Sequence, residues 1–349
     1  MAPPSQFLRS KYFVLYSLLS IGFTIYLLIV SSSSITFGTL SAADRHPKQH
    51  IPNRGSYAIA IFLASKSNER PEESDDNDGY YVSARTIVYQ LLHSPSTKLR
   101  YPVPLVILVS QHARESKRQR LRDDGAIVVE VDEVAHNMTI TIDRWTDTFT
   151  KLRLFDPSVV PYQKVLLMDA DIALTRPIDA IFQDSNTDLY ETNQTALTEP
   201  ERESLPEKYV MAASPESLQR DHSYPFLDPD NLSTRFNSGL LIYSPSTELF
   251  QYYLKLLQNP DLYYTGGPDQ DLLNYAHRWG GPMPWRRLHY SWYLNWPNDN
   301  DLKGNMAILH TKWWDHKFSY SSDSVEKFAF ARRWEMEGYW IGKEGQKSH

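Results

Sequence analysis

Two acidic residues separated by one position, Asp169 and Asp171, offer the clearest chemistry in the chain. They follow Lys164-Val-Leu-Leu-Met168, a short apolar run with the length and composition of a buried strand. The bare pattern Asp-x-Asp discriminates nothing, because it recurs at Asp76 and Asp78, Asp228 and Asp230, Asp269 and Asp271, and Asp299 and Asp301. Context separates them. Only the pair at 169 and 171 ends a fully apolar strand, where buried charge is costly unless a cation or hydrogen bonds compensate. In a straight strand the two carboxylates share one face about 6.6 Å apart, so the chain must bend for both to meet one ion. Oxygen ligands suit a hard divalent cation, and an added imidazole favours Mn²⁺ over Mg²⁺. The same pair could instead cap a strand-to-helix turn, since Pro177 follows closely. Local context leaves both readings open.

Several other chemistries are excluded. There are no cysteines among the 349 residues, which rules out disulfides, thiolate zinc sites, iron–sulfur clusters and a cysteine nucleophile. The 14 glycines complete neither G-x-G-x-x-G nor G-x-x-x-x-G-K-[ST], and H-E-x-x-H is absent, so dinucleotide-fold dehydrogenases, P-loop NTPases and zincins lack their signatures. With 36 Lys+Arg against 42 Asp+Glu and no basic block, nucleic acid has no electrostatic reason to bind. A hydrophobic fraction of 41% is ordinary for a globular protein.

The elements that must position Asp169 and Asp171 read as α/β. Tyr57–Ala64, Pro104–Val109, Ala126–Val131 and Lys164–Met168 are strand-like, with helical spacing over Tyr80–His93 and a polar helix over Glu115–Asp123. Short, continuously apolar strands separated by helices predict a parallel sheet covered on both faces, whose ligands sit beyond the carboxyl ends of the strands. Asn68 to Asp78 carries six carboxylates and one arginine and reads as a solvated loop. Beyond Gln183 the pattern loosens, with one clear strand at Gly239–Tyr243. Eight of the nine tryptophans follow Arg278; core packing is the default for most of them, with stacking on sugar rings the alternative.

The amino terminus carries a location signal. Tyr12 to Val30 is free of charge, and its 19 residues span about 28 Å as a helix, close to a hydrocarbon core. Arg9 and Lys11 precede it, favouring a cytoplasmic amino terminus. The expected organisation is a cytoplasmic tail over 1–11, a transmembrane anchor over 12–30, a lumenal stem over 31–56, a catalytic domain over 57–320 and a carboxyl-terminal extension over 321–349. Sequons at Asn137, Asn193 and Asn231 are compatible with a lumenal body but no more numerous than chance allows. The expectation is a single-pass type II protein of the Golgi membrane.

Several segments, in order, resemble glycosyltransferase family 8, the glycogenin-like group, in a fungal-type, membrane-anchored form. They are Phe149-Thr-Lys-Leu-Arg153, Val165-Leu-Leu-Met-Asp-Ala-Asp171 and Ile178-Asp-Ala-Ile-Phe182, then Phe236-Asn-Ser-Gly239 with Leu-Ile-Tyr-Ser-Pro-Ser246, then Asp269-Gln270 with Leu272-Leu-Asn274. Phe62-Leu-Ala-Ser65, Asp78-Gly-Tyr80 and Ala84 are similar to the family's uridine-binding start. The similarity runs from about Tyr57 to Trp314. It implies a GT-A, Rossmann-like nucleotide-sugar-binding fold, a UDP-linked donor, a divalent cation (Mn²⁺ or Mg²⁺) and transfer with retention to a glycan or glycoprotein acceptor.

Carried over residue by residue, the resemblance implies Asp169, Asp171 and His310 as metal ligands. Tyr80 would stack on uracil, with Ala64 and Ser65 lining the base pocket. Lys151 would face the donor near its phosphate or sugar, and Asn237, Ser238, Asp269 and Gln270 would surround the transferring sugar. Asp269, Gln270 and Lys151 are the implied catalytic residues. Ala170, Gly239 and Lys312 complete the nucleotide-sugar positions, with Lys312 as the diphosphate clamp. Two features depart from the family. Leu309-His-Thr-Lys-Trp-Trp314 lacks the usual glycine and separates His from Lys by one residue, and Pro268 precedes Asp269-Gln270. The rival readings are a non-catalytic lumenal binding protein for nucleotide-sugars or glycans on the same fold, and a metal-dependent phosphodiesterase using the same aspartates.

Overall fold

A computed structural model describes residues 56–64, 74–136, 147–198, 205–217, 219–226, 232–264, 266–317 and 319–347. The proposed tail, anchor and stem (apart from Ser56), the sequons at Asn137 and Asn231, and Ser65 lie outside the described residues. Among the described residues no helix is long and apolar enough to cross a membrane.

The apolar runs become the neighbouring parallel strands β1 (Tyr57–Leu63), β2 (Leu105–Ser110), β3 (Ile127–Val131) and β4 (Lys164–Met168). Alternate residues point to opposite faces of a strand. Ile59, Ile61, Ile107, Leu166 and Met168 accordingly enter one core cluster, while Ala58, Ala60, Val106, Val165 and Leu167 enter another. Both faces of this part of the sheet are covered, as continuous apolarity predicts.

The remaining strands are β5 (Ile172–Leu174), β6 (Tyr190–Glu191), β7 (Lys208–Tyr209), β8 (Met211–Ser217), β9 (Leu232–Tyr243), β10 (Arg286–Arg287), β11 (Tyr293–Leu294) and β12 (Ile308–His310). The main sheet has the order β10-β8-β9-β4-β1-β2-β3, and a second sheet has the order β11-β12-β5. Strand β9 runs antiparallel to both β4 and β8, so the main sheet is mixed rather than wholly parallel. An apolar run records burial but not direction, which is why the reversal was invisible in sequence. Strand β9 also begins at Leu232, well before the apolar run at Gly239. Its polar first half, Ser-Thr-Arg-Phe-Asn-Ser, is held extended by pairing rather than by composition.

Among the described residues there are six α-helices: α1 (Gly79–Leu92), α2 (Glu115–Asp124), α3 (Thr247–Leu257), α4 (Pro268–Ala276), α5 (Asp299–Lys303) and α6 (Asp323–Lys347). The described end of the acidic stretch is structural, not a solvated loop. Asp78 caps α1 by accepting from the Tyr80 and Tyr81 amides and pairs with Lys117 at 2.6 Å, and Asp75 pairs with Arg114. Helix α6 packs on α1, and Ala329, Met336 and Trp340 join the core cluster that holds Ile87 and Val88. The carboxyl-terminal segment is therefore part of the same core. Trp285, Trp292, Trp313 and Trp340 are buried, and Trp279 and Trp334 are exposed, so core packing accounts for half of the late tryptophans outright.

His277, just past α4, is fully buried, with Nδ1 against the Met283 carbonyl at 2.7 Å and Nε2 against the Tyr253 hydroxyl at 2.6 Å. The neutral ring satisfies both partners, and burial lowers its pKa from 6.5 to about 4. The unfolded chain therefore binds more protons between these values. The stability owed to neutral His277 is complete above pH 6.5 and is lost as pH falls towards 4. Urea unfolding followed by tryptophan fluorescence at pH 7 and pH 4 should show His277→Gln losing less stability than wild type, by on the order of 3 kcal/mol.

Candidate active site

The segment Asp169-Ala-Asp171 is a bend between two sheets, not a strand-to-helix turn. Strand β4 of the main sheet ends at Met168, and β5 of the smaller sheet begins at Ile172. The Asp169 amide still donates to Gly239 O of β9 at 2.9 Å, while Asp171 O already accepts from the Thr311 amide at 2.8 Å. Each aspartate is thus fixed by a different sheet. Ala170 between them is buried in the core cluster, so its methyl anchors the bend rather than lining open space. The bend does what the straight-strand spacing forbade. Asp169, Asp171 and His310 each present a ligand atom, all within 4.8 Å of one another.

His310 reaches this point because β12 pairs antiparallel with β5, His310 opposite Ile172. Its Nε2 lies 3.0 Å from Asp171 Oδ1, and Lys312 Nζ lies 2.9 Å from Asp171 Oδ2. The one-residue separation of His310 and Lys312 lets both address the same carboxylate, while Thr311 between them is buried and bonds to Ser321 at 2.7 Å. The compressed segment therefore keeps a histidine and a lysine at the site without the missing glycine.

Lys151, on the 3₁₀ helix Thr148–Phe155, is 6% exposed and is no surface lysine. Its Nζ meets Asp169 Oδ1 at 2.6 Å, Asp269 Oδ2 at 3.1 Å and the Ser238 carbonyl at 3.1 Å. Asp269 and Gln270 lie in the first turn of α4, and Pro268 occupies its first position, where a missing amide costs nothing. Pro268 thus starts the helix that carries them. Helix α4 is tied to β9 by Asn274, whose amide accepts from Phe236 N and donates to Phe236 O, both at 2.9 Å, and by an Arg235–Asp271 ion pair. Gln270 Oε1 accepts from Asn237 Nδ2 at 2.9 Å and from the Ser238 amide at 3.0 Å, while Ser238 Oγ donates to Asp269 at 3.0 Å. Asn237, Ser238, Asp269, Gln270 and Lys151 accordingly form one connected wall beside Asp169.

Burial opposes the charge on Asp171, yet His310 and Lys312 outweigh it and hold the carboxyl far below the usual carboxylate range. Burial raises Asp169, and the neighbouring Asp171 and Asp269 carboxylates oppose the lowering effect of Lys151. Burial also works against the charges of Lys151 and Lys312, but their carboxylate partners prevail and raise both. Three carboxylates face two ammonium groups, leaving the centre with one negative charge in excess when His310 is neutral. Two carboxylates and an imidazole at this spacing fit a divalent cation with oxygen and nitrogen ligands, and a net negative centre favours one.

Ala64 is exposed just beyond β1, which neighbours β4 in parallel, so it sits at the sheet edge where Asp169 emerges. Tyr80 is half-buried in the first turn of α1, edge-on to Trp314 at 5.0 Å and 5.6 Å from Lys312 Nζ. Two participants carried no recognisable spacing. Glu216 accepts from Gln270 Nε2 at 3.1 Å, and the Tyr293 hydroxyl touches Asn237 Oδ1 at 2.5 Å and His310 Nδ1 at 2.6 Å. Burial raises the Tyr293 pKa well above its ordinary value, reinforced by Asp169, Asp171 and Glu216, so the phenol keeps its proton. Tyr293 also lines a cavity of about 730 Å³ together with Asp184, Ser214, His289, Tyr290 and Trp292.

No protein-family model matches the chain. An uncharacterised protein of Schizosaccharomyces pombe is 28% identical over 319 residues, 82% of this chain and 80% of that one. Galactinol synthase 1 of Arabidopsis thaliana is 24% identical over 263 residues (66% of this chain, 73% of the synthase), and glycogenin-1 of Mus musculus is 26% identical over 266 residues (71% and 66%). In three dimensions the chain is similar to an active-site mutant of LgtC, with a TM-score of 0.48 and 14% identity over 81% of this chain and 95% of that one.

Lys151 carries the electrostatic balance of Asp169 and Asp269. Lys151→Met keeps the side-chain bulk but strands two carboxylates, and should cost about 3–5 kcal/mol in urea unfolding at pH 7.

Proposed function

We propose that this protein is a metal-dependent glycosyltransferase of the glycogenin-like group, moving a sugar from a UDP-linked donor to a glycan or glycoprotein acceptor with retention. The observation that carries the reading is the convergence of Asp169, Asp171 and His310 within 4.8 Å, flanked by Lys312 and by Lys151 with Asp269. Similarity to galactinol synthase and glycogenin supports a glycosyltransferase of this kind. The charge-free run at 12–30, preceded by Arg9 and Lys11, supports a type II anchor, and the Golgi lumen is proposed as the place of the catalytic domain.

Breaking a sugar–phosphate bond leaves negative charge on the diphosphate while positive charge develops at the sugar. A divalent ion held by Asp169, Asp171 and His310 supplies Lewis-acid stabilisation of the diphosphate when bound. Lys312, with its Nζ on the Asp171 carboxylate, adds a fixed positive charge at the same end. Asp269 places a carboxylate on the wall beside Asp169, where it is proposed to stabilise the cationic sugar, and Lys151 and Ser238 hold its orientation. Asn237 and Gln270 border the sugar position with neutral amides. Ala64, just past β1, and Tyr80, in the first turn of α1, are proposed to bound the uracil. The cavity beyond Tyr293, polar and aromatic and within the usual volume range for ligand sites, is proposed to admit the acceptor.

The test is UDP release by the full-length chain in detergent, with Mn²⁺ and a panel of UDP-sugars. One donor should support release, a chelator should abolish it, and Asp171→Asn should lower it about 100-fold or more. Mn²⁺-dependent UDP binding without turnover of any donor would favour the binding-protein reading instead. Rapid hydrolysis of donors with no transfer to any acceptor would favour the phosphodiesterase.

A further inference from the structure

We propose that Tyr293, steered by Asn237, is a positioning residue that sets which nitrogen of His310 is free to ligate the metal. The inference rests on the metal-binding reading above and adds residues to it.

The argument is a count of protons that begins at two backbone amides, whose donor role is unambiguous. Gly239 N–H donates to Asn237 Oδ1 at 3.0 Å, and Ser238 N–H donates to Gln270 Oε1 at 3.0 Å. These bonds fix both side-chain amides, and Asn237 Nδ2 then donates to Gln270 Oε1 at 2.9 Å, consistent with that orientation. An amide oxygen cannot donate, so at 2.5 Å from Asn237 Oδ1 the Tyr293 hydroxyl must give its single proton there. Nothing remains for it to donate to His310. At the 2.6 Å contact with His310 Nδ1 the hydroxyl must therefore accept, and Nδ1 must carry hydrogen. In the neutral ring that leaves Nε2 with its lone pair, and Nε2 is the atom that faces Asp171 at 3.0 Å. The polarity of two β9 amides thus passes through Asn237 and Tyr293 to the ligand atom of His310.

The surroundings hold this relay in one arrangement. A Cβ on Gly239 would lie 2.5 Å from the Tyr293 hydroxyl, 2.8 Å from Asn237 Oδ1 and 3.1 Å from His310 Cε1, so glycine is required where the three groups meet. Tyr293 is 1% exposed, and β11 pairs with β12 through Tyr293 and Ile308, which carries the phenol alongside the histidine strand. A partner that fixes the tautomer of a metal-bound histidine commonly changes affinity by about 10–100-fold.

The experiment is direct Mn²⁺ binding to the full-length chain, read by the loss of the free Mn²⁺ electron paramagnetic signal. Tyr293→Phe should bind Mn²⁺ about 10–100-fold more weakly than wild type. In a His310→Ala background the same substitution should have almost no further effect, because its route to the metal is gone. Unchanged affinity in Tyr293→Phe, or an equal additional loss in the His310→Ala background, overturns the proposal. Should Tyr293→Phe fail to fold, Asn237 supplies the test. Asn237→Asp keeps an acceptor for the hydroxyl and should retain Mn²⁺ affinity, whereas Asn237→Ala should lose it, and equal affinities in the two overturn the relay. With Mg²⁺ bound, nitrogen NMR of histidine-labelled protein should show His310 protonated at Nδ1 and bare at Nε2, and the opposite tautomer overturns it. A wild-type chain that holds no Mn²⁺ overturns the metal-binding reading as well, which separates the two failures.

Discussion

Two carboxylates at the end of a buried strand are the constraint around which this protein is arranged. Like charges so close together, partly withdrawn from water, would each take up a proton unless cations were supplied. The chain supplies two ammonium groups and an imidazole from two directions. Lys151 comes from the 3₁₀ helix before β4, His310 from β12 at the centre of the second sheet, and Lys312 from just beyond that strand. Asp171 receives two of these partners and stays ionised. Asp169 has one strong partner and shares it with Asp269, so its charge is less secure. The imbalance is useful, because a centre left short of positive charge is one that a divalent cation completes.

The bend that creates this centre depends on two sheets meeting at one residue pair. Strand β9 grips Asp169 from one side, and β12 grips Asp171 from the other. Neither sheet alone would turn the carboxylates towards each other. Strand β9 has a second task, since its residues 237–239 supply the amides and carbonyl that orient Gln270, Asn237 and Lys151. Helix α4 is bound to the same strand through Asn274 and Arg235, so Asp269 and Gln270 are positioned on a rigid support rather than on a loop. Pre-organised polar groups of this kind act on developing charge without reorganising during reaction.

The polar wall and the cluster of Asp169, Asp171 and His310 are one network rather than two adjacent sites. Gln270, Asn237, Tyr293 and His310 form a continuous chain of hydrogen bonds, and its last member places Nε2 3.0 Å from Asp171. A change at Gln270 or Asn237 therefore reaches His310 through directed bonds. Tyr293 also borders the large cavity, which places the proposed acceptor space against the same network.

The strands around Asp169, and its partners Asp171 and Lys151, were legible because their signals are local or ordered along the chain. Apolar runs fix burial, and one run ending in two aspartates marks where buried charge must be compensated. The ordered motifs carried His310, Asn237, Ser238, Asp269 and Gln270 to one site, and the folded chain brings them together. The direction of β9, the polar half of that strand and the roles of Tyr293 and Glu216 were not legible. Strand direction depends on which neighbour offers hydrogen bonds, and Tyr293 acquires its role only when β11 lies beside β12. The sequence by itself determined the residue types for the chemistry and the buried strands that deliver them. Only the tertiary structure decided which cation meets which carboxylate and how the protons are shared, because those outcomes are set by distances of about 3 Å between segments remote in the chain.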